Sequence, residues 1–210
     1  MSQTLRSIMA NSPYLVIVAL LAAVPAVITN LYHIQVMIFI GIYIILTLSL
    51  NLLNGYVGLL SIGHAAFYGI GAYASAKLVM EAGLPFTLAM PCAGAVAGIF
   101  GYLIAKPTLR LSGIYMTLAT LGFNMICFLI LQNWMSFTNG PLGIMDIPPP
   151  NIFGYEIETR VQYYYLIFFL VLLTVVSMHR LMTCRFGRAL VSIRENELAA
   201  EAMGVHTTRY

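Results

Sequence analysis

The chain has 210 residues, of which 60% are hydrophobic and 8% charged, and ten Lys and Arg against seven Asp and Glu give a net charge of +3. Soluble domains carry about 25% charged residues, so this chain lacks the polar surface to cover a soluble globule and reads as an integral membrane protein. Its basic residues form no nucleic-acid footprint, and Cys92, Cys127 and Cys184 have neither paired nor metal-ligand spacing, which argues against a disulfide framework or a zinc site.

Met1 to Asn11 carries Arg6 and polar residues, and after Pro13 an apolar run extends from Tyr14 to Ile28. The run lacks a small-residue cleavage site, so it reads as a first membrane helix rather than a signal peptide, kinked near its end by Pro25. Ile34 to Leu53 is nearly charge-free and of spanning length, which predicts a second helix.

Asn51 to Gly71 is interrupted by Asn51, Asn54, Gly55, Gly58, Ser61, Gly63, His64, Gly69 and Gly71. Two readings stay open. Non-helical backbone at membrane depth is tolerated where protein or a water-filled cavity satisfies it, so a broken or re-entrant helix would point to a substrate path. Alternatively, small residues let helices pack closely and Ser or Asn bond across them. His64 is an ionisable residue at membrane depth, a functional candidate by default. No second His, Asp or Glu lies near it in sequence, which favours a structural bond to a carbonyl or hydroxyl over a proton relay or metal site.

Beyond Glu81 and Gly83, Leu84 to Ile104 forms another span with Gly94, Gly98 and Gly101 at packing intervals, and Lys106 and Arg110 bracket Pro107 in a short loop. Leu111 to Leu131 is the next span. Along it Gly113, Thr117, Thr120, Asn124 and Cys127 recur at three and four residues and so share one helical face. That face either lines a passage for a zwitterionic solute or bonds to neighbouring helices, packing being the safer reading. The candidate translocation-path residues are therefore Asn54, Ser61, Gly63, His64, Thr117, Thr120 and Asn124.

From Gln132 to Gln162 the pattern dissolves into an acidic loop, with Trp134 and the tyrosines 163 to 165 expected as interfacial anchors. Tyr163 to Met178 makes a last span, followed by His179, Arg180 and Arg185. Taken as six crossings, these segments put Arg6, Lys106, Arg110 and the Arg180 to Arg194 cluster on one side. Glu81 and the loop, whose acidic residues outnumber its single Arg160, fall on the other, with Lys77 the one further basic residue near that face. The positive-inside rule makes the basic side cytoplasmic, with both termini there.

Between Thr183 and Gly204 the charges Arg185, Arg188, Arg194, Glu195, Glu197 and Glu201 crowd together, and each would cost about 2.5 kcal/mol or more in hydrocarbon. The segment must face water. From Ala189 onward it is rich in helix formers, and Leu190, Ile193 and Ala200 recur at roughly helical spacing, which predicts a short amphipathic helix at the membrane surface. The expected architecture is all-α: a membrane domain over 1–182 with about six transmembrane helices, then a cytoplasmic segment over 183–210.

The run Gly-Arg-Ala-Leu-Val-Ser-Ile-Arg-Glu-Asn-Glu-Leu-Ala-Ala-Glu-Ala-Met-Gly, Gly187 to Gly204, resembles the cytoplasmic coupling loop of permeases in branched-chain amino acid ABC importers. Ala199, Ala200 and Gly204 fit the importer pattern Glu-Ala-Ala, three residues, Gly, while Leu198 stands where the pattern has Glu. The runs Leu53 to Tyr73, Arg110 to Phe123 and Thr138 to Ile144 are similar to the same family. The resemblance implies that Arg188, Arg194, Glu195, Glu197, Ala199, Ala200, Glu201 and Gly204 couple to an ATPase. It also implies a second permease subunit, two cytoplasmic ATPase subunits carrying the ATP and Mg, an extracytoplasmic solute-binding protein and a bacterial inner membrane. Permeases of this family continue past the coupling element, so the chain is expected to be truncated.

No catalytic residue, cofactor or metal is expected in this chain, and it has no Walker-type glycine loop with which to hydrolyse ATP. Rival readings come from other classes. An ion- or proton-coupled secondary transporter would place charged residues inside its helices, and none stands at the centre of a span. An intramembrane enzyme would rest on Ser61 and His64. Within the importers, amides or urea are alternative solutes to Leu, Ile and Val.

Overall fold

The computed structural model describes residues 18, 20–25, 30–108, 111, 113–152 and 154–205. In chain order the elements are α1 (Leu31–Asn51), a π-helix (Leu52–Val57), α2 (His64–Met80), α3 (Phe86–Thr108) and α4 (Ile114–Asn133). A two-stranded antiparallel hairpin follows, β1 (Asn151–Ile152) with β2 (Tyr155–Glu156), in the register Asn151 to Glu156 and Ile152 to Tyr155. The chain continues as α5 (Arg160–Thr183), α6 (Arg185–Glu195) and α7 (Glu197–Ala202). Two compact units result: the described part of Met1–Ile45 with Glu158–Thr174, and Leu46–Ile157 with the described part of Val175–Tyr210.

In the first unit, α1 starts three residues before the expected Ile34 because the Asn30 side chain accepts the Tyr32 N–H at 2.9 Å, as an N-cap does. Ile34, Ile38 and Tyr164 form its buried core, with Met37, Ile42, Ile167 and Phe168 packed around them. Tyr164 is 6% exposed, stacks on Phe168 and donates its hydroxyl to the Leu21 carbonyl at 2.6 Å. It is a core residue here and not the interfacial anchor expected of it. Gly41 admits Ile167, whose Cγ2 would lie 2.5 Å from a Cβ at that position.

In the second unit, α2 packs along α3 and against α4, with Ala66, Ala76, Ala89 and Ala93 buried between them. Such small residues let helices approach closely without a large apolar core. α3 runs through Pro107 to Thr108, past the expected loop, and the Thr108 hydroxyl bonds the Ile104 carbonyl at 2.8 Å. Arg110 and Ser112 lie outside the described residues. The expected loop from Gln132 is ordered near its start: a helical turn, Met135–Thr138, leads into a 3-10 turn, Gly140–Leu142. The fully buried Thr138 holds it, with its hydroxyl 2.6 Å from the Leu131 carbonyl and accepting from the Gly140 N–H at 3.2 Å.

Among the described residues four helices are long and apolar enough to cross a membrane: Leu31–Val57, Phe86–Thr108, Ile114–Asn133 and Arg160–Thr183. α2 has 17 residues, short of the about 20 that hydrocarbon requires. Most of the expected first span, Tyr14 to Ile28, lies outside the described residues. The outward faces are as oily as the inward ones: Leu118, Phe128 and Leu129 on α4, and Phe169 and Leu173 on α5, are exposed. Helices apolar all round suit lipid rather than water.

Candidate functional site

α1 does not continue as one regular helix through the glycine-rich stretch. It widens into the π-helix, which ends at Gly58 in the left-handed region, φ 79°, with the Leu59 N–H reaching the Leu53 carbonyl at 3.1 Å. Gly58 to Gly63 then runs without helix until α2 begins at His64. Its polar backbone is met by side chains. The Ser61 N–H bonds Asn54 Oδ1 at 3.1 Å, the Ile62 N–H bonds Thr120 Oγ1 at 3.1 Å, and Thr117 Oγ1 donates to the Leu60 carbonyl at 3.2 Å. Gly63 lies so close to α4 that a Cβ would sit 2.8 Å from the Thr120 carbonyl oxygen.

Five of the seven candidate path residues, Asn54, Ser61, Gly63, Thr117 and Thr120, therefore meet in one seam between the broken segment and α4. The polar face of α4 serves the interrupted backbone of its neighbour. Asn124, one turn further along α4, is half-buried and makes no side-chain hydrogen bond among the described residues.

His64 opens α2, and its Nε2 lies 2.6 Å from Ser49 Oγ on α1. The Ser49 hydroxyl also lies 2.8 Å from the Leu46 carbonyl; with its single hydrogen given to that carbonyl it accepts from His64, an arrangement that goes with the Nε2–H tautomer. Nδ1 is then a bare acceptor, buried and without a partner among the described residues. The sequence singled out Ser61 as the neighbour of His64. The fold pairs Ser49 instead, fifteen residues away across the break.

The charged segment is two helices, not the single one expected from Ala189 onward. Asn196 breaks it in extended backbone, φ −162°, and its Oδ1 accepts the Ala199 N–H at 3.0 Å to cap α7. A side chain that competes for backbone donors in this way favours a cap over a helix interior. Gly204 ends α7 at φ 85°, with Gly204 N–H to Glu201 carbonyl at 2.9 Å and Val205 N–H to Ala200 carbonyl at 3.0 Å, a Schellman closure.

α6 packs against the π-helix, and Gly187, Ala189 and Leu190 along it are buried. Arg188 donates to the Thr183 carbonyl at the end of α5 at 2.8 Å. Arg194 donates to the Gly55 carbonyl inside the π-helix. Glu195, Glu197, Ala199 and Glu201 are exposed, whereas Ala200 is 5% exposed and packs inward. The most exposed large apolar side chains of the segment, Leu198 at 79% and Met203 at 85%, are two the motif did not mark. An apolar residue held in water on a charged helix is the signal that would have found them.

Cys184 caps the start of α6. The Gly187 N–H, the largest cause, holds its thiol below the ordinary range against the opposing effect of desolvation, with smaller help from the Phe186 N–H and the charge of Arg188. Its contact with the Leu181 carbonyl at 2.9 Å favours the protonated form but is outweighed by these donors. Toward the far end of α4 a cavity of about 310 Å³ opens among Tyr73, Val96, Phe100, Cys127, Ile130 and Phe137. Its lining is hydrocarbon and aromatic, without the polar groups that orient a solute.

Apolar helices, a broken one satisfied by polar side chains of its neighbour, and charged helices turned off the last span define an all-α, multi-pass integral membrane protein. Residues 32–210 match the model of the family described as branched-chain amino acid transport system / permease component, and the chain belongs to that family. It is similar to the high-affinity branched-chain amino acid transport system permease protein LivM of Salmonella typhimurium strain LT2 and to that of Escherichia coli strain K12. Each is 38% identical over 191 residues, covering 80% of this chain and 45% of the relative. The chain thus spans about half the length of the curated relatives it matches. No solved structure matches it. The family resemblance carried by Leu53 to Tyr73, Arg110 to Phe123 and Gly187 to Gly204 is borne out.

Proposed function

We propose that this chain belongs to the membrane-spanning subunit of an ATP-driven importer for leucine, isoleucine, valine or related amino acids, and that Thr183 to Gly204 receives the motion of an ATPase. The observation that carries the coupling reading is the exposure of Leu198 on α7 and of Met203 just past its end, with Glu197 and Glu201 exposed between and beside them. Exposed apolar side chains among charged ones are the kind of anchor that a groove on a soluble partner buries. The names of the two relatives support the solute class.

In this reading 1–182 is the permease domain and 183–210 the cytoplasmic coupling segment, with both termini on the cytoplasmic side of a bacterial inner membrane. The partners are a second permease subunit, two ATPases that hold ATP and Mg, and an extracytoplasmic solute-binding protein. This subunit contributes no catalytic group. The seam of Asn54, Ser61 and Gly63 against Thr117 and Thr120, with His64 and Asn124 next to it along their helices, is the part of the translocation path that parts when the bundle changes state. Nucleotide shifts that equilibrium only through different interaction energies with the two states.

Co-purification of the ATPase with the complete permease tests the reading. Combining Leu198→Asp with Met203→Asp should reduce the retained ATPase about tenfold or more, while the fold, which these exposed side chains do not support, keeps its stability within about 0.5 kcal/mol. Undiminished retention would leave α7 as a solvated tail and sink the coupling role.

A further inference from the structure

Arg194 does not pair with a carboxylate among the described residues. Its guanidinium is set on a neutral backbone carbonyl, that of Gly55 in the π-helix. Its stem lies along Gly58, where a Cβ would come within 2.8 Å of Arg194 Cγ and where φ is 79°. Gly58 thus meets two demands at once, a left-handed turn and the close passage of an arginine from the charged segment. α6 as a whole packs against the π-helix, so the Arg194 contact is one part of a wider interface between the two elements.

From that point an unbroken series of contacts leads to α4. Asn54, next to Gly55, holds the Ser61 N–H, while Thr117 and Thr120 hold Leu60 and Ile62, and Gly63 rests on Thr120. We infer that Arg194 is the positioning residue through which α6 sets the register of the broken segment Gly58 to Gly63 against Thr117 and Thr120, so that a displacement of α6 is delivered to this seam. The inference rests on the reading above, in which α6 and α7 receive ATPase motion, and adds the place where that motion enters the membrane domain. When α6 withdraws, the Gly55 carbonyl loses its donor and Gly58 loses the stem beside it. The last π-turn is then free to tighten to the α form, which changes the length of chain between Asn54 and Gly63.

The test reads the segment directly. Leu60 is exposed, so Leu60→Cys in the full chain, in native membranes, is alkylated with a maleimide and the modification located by mass spectrometry. Adding Arg194→Ala should raise the rate at position 60 about tenfold, the equivalent of one charge-assisted hydrogen bond, with Arg194→Lys in between. Cys127, which is buried, should stay unreactive and so separates a shifted segment from an unfolded chain. If Arg194→Ala unfolds the protein by that criterion, the comparison is made on Arg194→Lys and Arg194→Gln. In cells carrying the complete transporter, solute taken up per ATP hydrolysed should fall about tenfold with Arg194→Ala, whereas a role confined to docking lowers uptake and hydrolysis in proportion and leaves the ratio unmoved. Equal alkylation rates, or an unmoved ratio, overturn the inference. Failure of the unaltered permease to retain an ATPase would sink the functional reading while leaving the alkylation comparison readable.

Discussion

Gly187 lies against Met182 so closely that a Cβ on the glycine would sit 2.5 Å from the Met182 Cα and 2.5 Å from the Leu181 carbonyl oxygen. α6 therefore leaves the end of α5 through a corner with no room for a side chain. The obstruction is backbone, which cannot rotate aside. Gly187→Ala should destabilise the permease by about 1–3 kcal/mol and release the ATPase, because the corner that aims α6 and α7 must open. Arg188→Ala, which frees the exposed Thr183 carbonyl to water, should have a smaller effect. Thermal unfolding in detergent reads both, and an unchanged midpoint for Gly187→Ala would show that the corner adapts.

Thr120 carries two loads with one hydroxyl, accepting from the Ile62 N–H and donating to the Thr117 carbonyl at 3.0 Å. Thr120→Val keeps the shape and strands the Ile62 donor, at about 1–3 kcal/mol, whereas Thr120→Ser keeps the bond. Hydrogen exchange at the Ile62 amide should accelerate in the valine variant and stay close to the original rate in the serine variant. Equal protection in both would mean that Thr120 is not the partner that holds the break.

Ser49→Ala removes the acceptor for His64 Nε2–H. The nitrogen-15 resonances of the His64 ring should show a proton fixed on Nε2 in the unaltered chain and a mixture of tautomers in the variant. A protonated Nδ1 in the unaltered chain would contradict the assignment drawn from the Ser49 bond to Leu46.

The depressed pKa of Cys184 has a direct kinetic readout. Donors that stabilise the thiolate in the folded chain mean that Cys184 loses its proton at a lower pH than a free thiol, whose ordinary pKa is about 8.5. Alkylation by a water-soluble haloacetamide should thus reach half its maximal rate below that pH, and Arg188→Gln should move the midpoint upward toward it. The contacts favouring the thiolate are lost as pH falls through the folded value, so the preference vanishes on the acid side. A midpoint at or above the free-thiol value would show that the Leu181 contact prevails.

Local signals in the sequence were strong where a single residue type decides the outcome. Glycine density between Asn51 and Gly71 marked the break, and spacing put Thr117 and Thr120 on one face. Spacing did not reveal what that face was for, because its partners at Leu60 and Ile62 lie nearly sixty residues earlier in the chain. The same distance problem hid Ser49 from His64 and turned Tyr164 from a supposed interfacial anchor into a core residue bonded to Leu21. Asn196 was legible in principle as an N-cap before Glu197, but the surrounding helix formers outweighed it. Ala200 is buried, as its place among the apolar positions suggested, whereas the exposure of Leu198 was not legible, since a motif fixes which residues recur and not which side of α7 is covered.

The break at Gly58 also constrains how the chain is built. Leu31 to Val57 can enter the bilayer as a finished helix with its hydrogen bonds closed within itself. Leu60 and Ile62 cannot, because their partners on α4 have not yet been synthesised when these residues leave the ribosome. Until Thr117 and Thr120 arrive, that stretch of backbone must keep water or a chaperoning surface beside it. The same threonines that close the seam in the folded protein therefore set the earliest moment at which the segment before α2 can settle into its final conformation.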